Sequence, residues 1–311
     1  MTPAGRALDR TLLTWVAALG ALAAQRIIGL GDAGLTPLPK ADGTPLTRAD
    51  LLAHQTIVQF LRADGWAVVS EEDDAPAPAI HTRYFLVDPL DGTREFIAGR
   101  AHYTVNLALI EHGQAVLGVI AVPARAAIYL ALNPRDRSQD AAAWRICLAA
   151  QGQESAGGSD ESPAGAQTAH KAWVHLLAKQ PWERIRCASL AGAQAEHAGD
   201  PRRWRALVSA SHLDARTSAW LAAQRVDSTE RLGSALKFCV LAEGGAEVYP
   251  RFAPTMEWDT AAGQAIVEAA GGSVCLPNGS PLRYGKEGWR NGDFIAWGQR
   301  GQGQALRDLA D

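Results

Sequence analysis

The sequence predicts a layered α/β fold in which sheets lie against helices. Strand-like segments rich in aliphatic and β-branched residues fill most of the chain between residues 84 and 132. Helical segments come before this run, and they return in the second half, where they alternate with short strands. Such a pattern is typical of a sheet flanked by helices.

The first predicted elements are two helices. The apolar segment that starts near residue 12 has helical spacing and an interruption at Arg26, so we expect an amphipathic helix rather than a membrane span or a signal peptide. Residues 47–50 are predicted to open a second helix that continues over residues 51–61, with Thr47 as its N-cap. Strands are then predicted, including a hairpin that turns at His112-Gly113.

The second half is predicted to be a smaller α/β unit. Residues 149–170 are rich in Ala, Gly, Ser and Gln without periodicity, which indicates a flexible loop or linker. We therefore expect an N-terminal α+β domain over residues 1–148 and a C-terminal α/β domain over residues 171–311.

Composition limits the function classes. A length of 311 residues with 47% hydrophobic and 20% charged residues is ordinary for a globular protein. The net charge of −3 argues against nucleic-acid binding and against a polybasic membrane anchor. Four cysteines without a CxxC pair are typical of reduced thiols, so we expect a cytoplasmic protein, with peripheral contact to the inner membrane left open.

Acidic residues stand where predicted strands end or helices begin. They are Asp50, Glu71, Asp88, Asp91 and Asp259. Hard oxygen ligands without nearby His or Cys favour Mg²⁺, with Mn²⁺ as the alternative, over zinc. Each acid alone could be only a turn residue or a helix cap, but their occurrence together favours a metal site.

The stretch YFLVDPLDGTREF carries the most specific pattern. Pro89 stiffens the turn, so that the Leu90 carbonyl can join the carboxylates of Asp88 and Asp91 around a metal. Gly92 and Thr93 follow with backbone N–H groups that can bind phosphate. Carboxylates for a metal beside amides for a phosphate predict a metal-assisted phosphatase. The spacing of the two aspartates excludes a DxDxT aspartyl nucleophile, and no EF-hand, Walker A or GxSxG motif is present.

Several segments together resemble a known family. SEED, LVDPLDGTREF and EWDTAAG are similar to motifs of the inositol monophosphatase superfamily, whose members are magnesium-dependent, lithium-sensitive phosphatases. PLTRADLLAHQTI, LGVIAVPA and GSALKFCVLAEG narrow the resemblance to the 3'(2'),5'-bisphosphate nucleotidases of the CysQ type, over most of residues 10–300. The resemblance implies an αβαβα sandwich of the inositol monophosphatase and fructose-1,6-bisphosphatase type.

The resemblance also implies roles for individual residues. Glu71, Asp91 and Asp259 match metal ligands, Asp88 matches the aspartate that bridges two metals, and Leu90 ligates through its carbonyl. Thr93 and Asp50 match a hydrogen-bonded pair that helps to activate the attacking water, with Glu71 also catalytic. The implied mechanism is direct in-line attack by a metal-activated water, with two or three Mg²⁺ ions. The phosphate would lie against Leu90, Asp91, Gly92, Thr93 and Asp259.

Substrate contacts are expected from the second half of the chain. Lys237 and Arg251 supply positive charge for a second phosphate. The resemblance adds Ser211, His212 and Ser234. The implied reaction removes the 3'-phosphate of 3'-phosphoadenosine 5'-phosphate to give AMP, a step linked to sulfur metabolism.

Two alternatives stay open at this point. The same fold and metals could instead act on inositol monophosphate or fructose 1,6-bisphosphate. A more distant alternative is a sensor that binds nucleotide or metal without turnover. We expect a small phosphorylated nucleotide as the partner, no nucleic acid and no integral membrane segment. The protein is expected to be a monomer or a homodimer.

Overall fold

The computed structural model describes residues 6–35, 37–38, 45–73, 82–134, 141–148, 162–189, 204–211, 213–224 and 226–299. Within these residues the chain forms seven α-helices. They are α1 (Arg10–Gly29), α2 (Arg48–Ala63), α3 (Thr93–Ile97), α4 (Pro163–Lys179), α5 (Ala215–Ala223), α6 (Leu236–Ala242) and α7 (Glu257–Ala269).

Sixteen strands accompany the helices in the described part of the chain. The first nine are β1 (Pro37–Leu38), β2 (Leu46–Thr47), β3 (Val68–Ser70), β4 (Arg83–Asp91), β5 (Thr104–Glu111), β6 (Gln114–Val122), β7 (Ala127–Leu132), β8 (Ala142–Cys147) and β9 (Glu183–Ile185). The others are β10 (Trp204–Ser209), β11 (Val226–Leu232), β12 (Val248–Arg251), β13 (Thr255–Met256), β14 (Ser273–Cys275), β15 (Arg290–Asn291) and β16 (Phe294–Trp297).

Two large sheets organise the fold. Strands β3 to β9 form a seven-stranded sheet in sequence order, antiparallel apart from the parallel pair β3–β4. The second sheet has five strands in the order β11-β10-β12-β16-β14, with β16 antiparallel to both its neighbours. Two short pairs, β1–β2 and β13–β15, complete the strands.

The layers follow from which apolar residues share a core. Helices α1, α2 and α4 cover one face of the seven-stranded sheet, and α6 and α7 lie between the two sheets. Helix α5 packs on the outer face of the five-stranded sheet. This is an αβαβα arrangement, so the predicted layered fold is confirmed.

Strand β4 shows how the sequence builds two cores at once. Tyr84 and Leu86 point into the core between the sheets, and Phe85 and Val87 point into the core under α1 and α2. Successive side chains of a strand point to opposite faces, so a strand that is covered on both sides needs a continuous apolar run. Asp88 ends this run and is buried all the same.

Helix α1 is more deeply buried than predicted. Asp9 caps it by accepting a hydrogen bond from Leu12 N at 2.9 Å, and 13 of its residues are buried, because the first sheet, α2 and α4 surround it. Its length and composition alone would suit a membrane span, yet 67% of its most apolar window is buried inside the fold. Within the described residues it is therefore a core helix rather than a one-faced amphipathic one.

The predicted linker is wrong over its last part. Residues 163–170 belong to helix α4, which Pro163 opens and which Ser162 caps by accepting a hydrogen bond from Gly165 N at 3.1 Å. At its start the buried residues are small, such as Ala166 and Ala169, so the sequence shows no periodic pattern of large apolar residues there. Residues 149–161 lie outside the described part, and the division into two domains stays a prediction.

Two local predictions are confirmed. Thr47 caps α2 in a reciprocal capping box with Asp50. The β5–β6 hairpin turns through two residues with positive φ, His112 at 48° and Gly113 at 76°, between the paired residues Glu111 and Gln114.

Candidate functional site

The site begins at a bulge in strand β4. Asp88 pairs with Asn106 of β5, and the next paired position joins Asp91 to Thr104. The two aspartates are three residues apart on β4, whereas their partners are two apart on β5, so β4 carries one extra residue. The Pro89-Leu90 bulge thus places two acids at the end of a buried strand.

Three carboxylates converge beside this bulge. One oxygen each of Glu71, Asp88 and Asp259 lies within 4.8 Å of the other two. Glu71 follows β3, Asp88 lies near the end of β4, and Asp259 lies in the first turn of α7. A set of carboxylate oxygens at this spacing fits a hard divalent cation such as Mg²⁺.

The electrostatics of the cluster disfavour bare carboxylates. Burial raises the pKa of Asp88 well above its ordinary value, and the nearby charges of Glu71, Asp91 and Asp259 raise it further. Burial, helped by Asp91, raises the pKa of Asp259 to about 7. Acids in such surroundings hold protons or a metal, because bare like charges at this separation repel one another.

Asp91 is not one of the three acids whose oxygens converge, and its hydrogen bonds hold it in a different way. Its Oδ2 accepts hydrogen bonds from the backbone N–H of Ala235 at 2.6 Å and from Asn106 Nδ2 at 3.3 Å. Burial raises the pKa of Asp91, and the charge of Lys237 opposes that rise. Asp91 thus ties β4 to the turn before α6, and its Oδ1 accepts no hydrogen bond from the described residues.

Asp50 and Thr93 form the predicted pair. Thr93 Oγ1 lies 3.0 Å from Asp50 Oδ1 and 3.1 Å from the Leu90 carbonyl oxygen, and its one proton can go to either. Thr47 holds the other oxygen of Asp50 through its backbone N–H at 2.7 Å and its hydroxyl at 2.5 Å. Burial raises the pKa of Asp50 although these hydrogen bonds lower it.

Gly92 has no room for a side chain. Its φ is +92°, and a Cβ there would meet the His102 carbonyl oxygen at 2.7 Å and Ser234 Cβ at 3.3 Å. The turn before α6, which contains Ser234, therefore lies close to Gly92.

Replacing Gly92 with alanine is therefore expected to be costly. We expect Gly92→Ala to lose about 1–3 kcal/mol of unfolding free energy, because the backbone φ is strained for alanine and the Cβ meets a carbonyl. Activity should fall more than tenfold, since the amides beside the acids must shift. Chemical denaturation and phosphate release measure both effects. Gly29→Ala is the control, because nothing lies within 4 Å of its Cβ position; equal behaviour of the two variants would contradict this prediction.

An open cleft of ≈ 530 Å³ lies above these acids. Of the acids, Glu71, Asp91 and Asp259 line it, together with Gly92 and Thr93. Asp50, Asp88 and Leu90 are buried. The residues predicted to contact substrate also line the cleft, namely Ser211, Ser234, Lys237 and Arg251. His212 lies outside the described residues.

Lys237 is a buried residue of the cleft wall. Its Nζ donates to the carbonyl oxygens of Ser234 at 2.6 Å and Leu232 at 3.2 Å. Burial lowers the pKa of Lys237 to about 8, and the charge of Asp91 opposes this. Lys237 therefore also supports the turn before α6, in which Ser234 has a φ of 51°.

Some residues of the site were missed in the sequence. Asn106 supports Asp91, and the signal for it was a polar residue inside the otherwise apolar strand TVNLALIE. Glu95 is buried in the cleft wall, two residues after Thr93. The backbone N–H of Ala235 gave no signal, because its contact with Asp91 joins residues far apart in the chain.

Comparison with known proteins places this site in a family. Residues 18–306 match the profile of the inositol monophosphatase family. The chain belongs to this family. It is 35% identical over 258 residues to the 3'(2'),5'-bisphosphate nucleotidase CysQ of Escherichia coli K12, covering 82% of this chain and 85% of that protein. The protein from Shigella flexneri that bears the same name is 36% identical over 259 residues, with the same coverage.

Solved structures agree with the family assignment. The crystal structure of CysQ from Bacteroides thetaiotaomicron superposes with a TM-score of 0.68 at 33% identity, covering 94% of this chain and 98% of that one. An inositol monophosphatase from Zymomonas mobilis shares the fold at 22% identity, with a TM-score of 0.64 and coverage of 94% and 95%. The predicted family is confirmed, and the protein is a phosphatase.

Proposed function

We propose that the protein is a Mg²⁺-dependent phosphatase that removes the 3'-phosphate of 3'-phosphoadenosine 5'-phosphate, giving AMP and phosphate. The observation that carries the proposal is the convergence of Glu71, Asp88 and Asp259 under a cleft that Lys237 and Arg251 also line. The CysQ relatives, which are named 3'(2'),5'-bisphosphate nucleotidases, support the choice of substrate.

The acids of the site would hold the metal. Glu71, Asp88 and Asp259 offer one converging oxygen each, and Asp91 and the Leu90 carbonyl are the further ligands that we propose. When bound, Mg²⁺ would neutralise charge that builds on the phosphate and lower the pKa of water. Whether two or three ions bind stays part of the proposal, with Mn²⁺ as a substitute.

Asp50 and Thr93 are suited to take a proton from the attacking water. When the Thr93 hydroxyl donates to Asp50 Oδ1, its lone pairs are free to accept a hydrogen bond from water. As the water oxygen bonds to the phosphorus, its proton can pass to Thr93 while the Thr93 proton passes to Asp50. The bond from the phosphorus to the 3'-oxygen breaks, and that oxygen can take a proton from solvent water in the open cleft. Burial favours this step, because it raises the pKa of Asp50 and so its affinity for a proton. We also propose a catalytic role for Glu71, which lines the cleft.

The second phosphate would be bound by the positive side of the cleft. Arg251, at the end of β12, lines the cleft and can grip a phosphate with two parallel N–H groups. Lys237 adds positive charge from the buried wall. Ser211, Ser234 and His212 remain proposed contacts of the nucleotide.

The test compares three substrates in parallel. Purified protein with Mg²⁺ should release phosphate from 3'-phosphoadenosine 5'-phosphate with a kcat/KM at least tenfold above that for inositol 1-phosphate or fructose 1,6-bisphosphate, about 1.4 kcal/mol in transition-state binding. Preference for inositol 1-phosphate or fructose 1,6-bisphosphate would still support a phosphatase but would contradict the proposed nucleotide pocket. Calorimetric binding of the nucleotide without phosphate release would instead support a sensor.

Removing the Arg251 charge should act mainly through the second phosphate. We expect Arg251→Gln to lower kcat/KM for the 3',5'-bisphosphate about 10- to 100-fold, since a charge-assisted hydrogen bond is worth roughly 1.5–3 kcal/mol. The loss for 3'-AMP, which lacks the 5'-phosphate, should be severalfold smaller. Arg184→Gln on the edge strand β9 is the matched control. Equal losses on both substrates would contradict the assigned role.

We also propose a cytoplasmic location and a small-molecule partner. The four cysteines are free thiols, of which Cys147 alone is exposed, and this suits the cytoplasm. We propose a small phosphorylated nucleotide as the partner. The protein would act as a monomer or a homodimer.

A further inference from the structure

Glu95 is a buried acid of the cleft that the metal proposal does not use. It lies in α3, is 6% exposed, and lines the cleft. It is not one of the three acids whose oxygens converge. A buried carboxylate in a cleft that must accept phosphates is costly unless something donates to it.

The carboxylate has unused acceptor capacity. Ser211 donates a hydrogen bond from its hydroxyl to Glu95 Oε1. Within the described residues the other oxygen, Oε2, accepts no hydrogen bond, and Glu95 lines the cleft. Glu95 therefore keeps an acceptor oxygen for a donor that enters the cleft.

Glu95 lines the same cleft as Gly92 and Thr93, the residues that we propose to contact the phosphate. A Cβ on Gly233 would be 2.9 Å from Glu95 Cγ, and a Cβ on Gly92 would be 3.3 Å from Ser234 Cβ. Glu95 thus packs on the same turn that covers Gly92. A negative charge at this place repels a phosphate and attracts a hydroxyl group.

We propose that Glu95 is a specificity-determining residue that accepts a hydrogen bond from the hydroxyl on the carbon next to the one that carries the scissile phosphate. For the nucleotide this is the ribose 2'-hydroxyl, so the inference rests on the proposed function. A site built to bind a hydroxyl discriminates against the analogue that lacks it, because its buried polar group is left unpaired.

The experiment compares adenosine 3',5'-bisphosphate with its 2'-deoxy analogue, using the wild type, Glu95→Gln and Glu95→Ala. The wild type should prefer the ribose substrate at least tenfold in kcat/KM. We expect Glu95→Ala to reduce this ratio to about threefold or less, as expected when one hydrogen bond is lost. Glu95→Gln keeps an acceptor for Ser211 and puts a neutral amide N–H donor where the second carboxylate oxygen would accept from the hydroxyl. It should therefore lower the ratio at least threefold, and it decides the matter if the alanine variant does not fold. Glu230→Gln, at an exposed position of β11, should keep the wild-type ratio.

The outcomes separate this inference from the proposed function. A purely structural role of Glu95 would lower activity on both substrates alike and leave the ratio unchanged, which would overturn the inference. Equal turnover of the two substrates by the wild type would overturn it too. Release of phosphate from neither nucleotide by the wild type would overturn the proposed function as well.

Discussion

Asp88→Asn is expected to lower phosphate release by about three orders of magnitude or more without unfolding the protein. Asp88 belongs to the converging cluster, and charge stabilisation by a bound metal supplies several kcal/mol in phosphoryl chemistry. Its Oδ1 accepts a hydrogen bond from Leu90 N at 3.1 Å, and an asparagine oxygen can accept the same bond. The local structure should therefore survive.

The stability of this variant tests the electrostatic argument separately. Burial and four neighbouring acids disfavour the charged form of Asp88, so the neutral side chain should leave the metal-free protein as stable as the wild type or more so. Thermal unfolding in EDTA and in Mg²⁺ measures this. The wild type should gain stability from Mg²⁺, by about 2.7 kcal/mol at a hundred times Kd, whereas the variant should gain much less. Asp227→Asn, at an exposed position, is the control.

Two results would contradict this account. If Asp88→Asn kept most of its activity, the cluster would not be the metal site. If it failed to fold, Asp88 would be structural. Asp88 is a sharper choice than Asp91 for this test, because Asp91 also accepts hydrogen bonds from Ala235 and Asn106.

The metal-free protein is expected to lose stability as the pH rises from about 4 to about 7. The pKa of Asp259 is raised from 3.8 to about 7 in the folded protein, mainly by burial. Below pH 3.8 the acid is protonated in both states, and its contribution to stability is fully present. Above that pH the unfolded chain ionises first, so stability falls until the folded acid also ionises near pH 7.

The size of this effect should exceed 1 kcal/mol, since one unit of pKa difference corresponds to about 1.4 kcal/mol. Asp50, Asp88 and Asp91, whose pKa values are also raised, act in the same direction. Urea denaturation in EDTA across pH 4 to 8 measures the slope, and saturating Mg²⁺ should flatten it. A metal-free protein with flat or rising stability in this range would contradict the burial argument.

Much of the fold could be predicted from local patterns. The two-residue turn at His112-Gly113 and the Thr47 cap are short-range features, and the sequence determines them locally. Helix α4 was missed at its start because alanines form its buried face and give no hydrophobic period. Helix α1 was predicted to be amphipathic because its apolar residues fall at helical spacing, whereas the first sheet and two neighbouring helices cover most of its surface.

The candidate site also contains residues that local sequence patterns indicate and contacts that they do not. Asp88, Asp91 and Asp259 could be proposed as metal ligands from the sequence, because Asp88 ends an apolar run, Asp91 ends β4 and Asp259 lies in the first turn of α7. The contact between Asp91 and Ala235 could not be found, since it depends on how the two halves of the chain pack. Lys237 was expected to offer its charge to the substrate, and this role stays a proposal; its Nζ donates hydrogen bonds to two backbone carbonyls, which the sequence did not indicate.

The most direct test of the central claim is the identity of the nucleotide product. Purified protein would be incubated with 3'-phosphoadenosine 5'-phosphate, once with Mg²⁺ and once with EDTA, and the nucleotides would be separated by chromatography. We predict that 5'-AMP and phosphate form in equal amounts with Mg²⁺ and that neither forms in EDTA. Formation of 3'-AMP, or equal turnover with and without Mg²⁺, would contradict the proposed function.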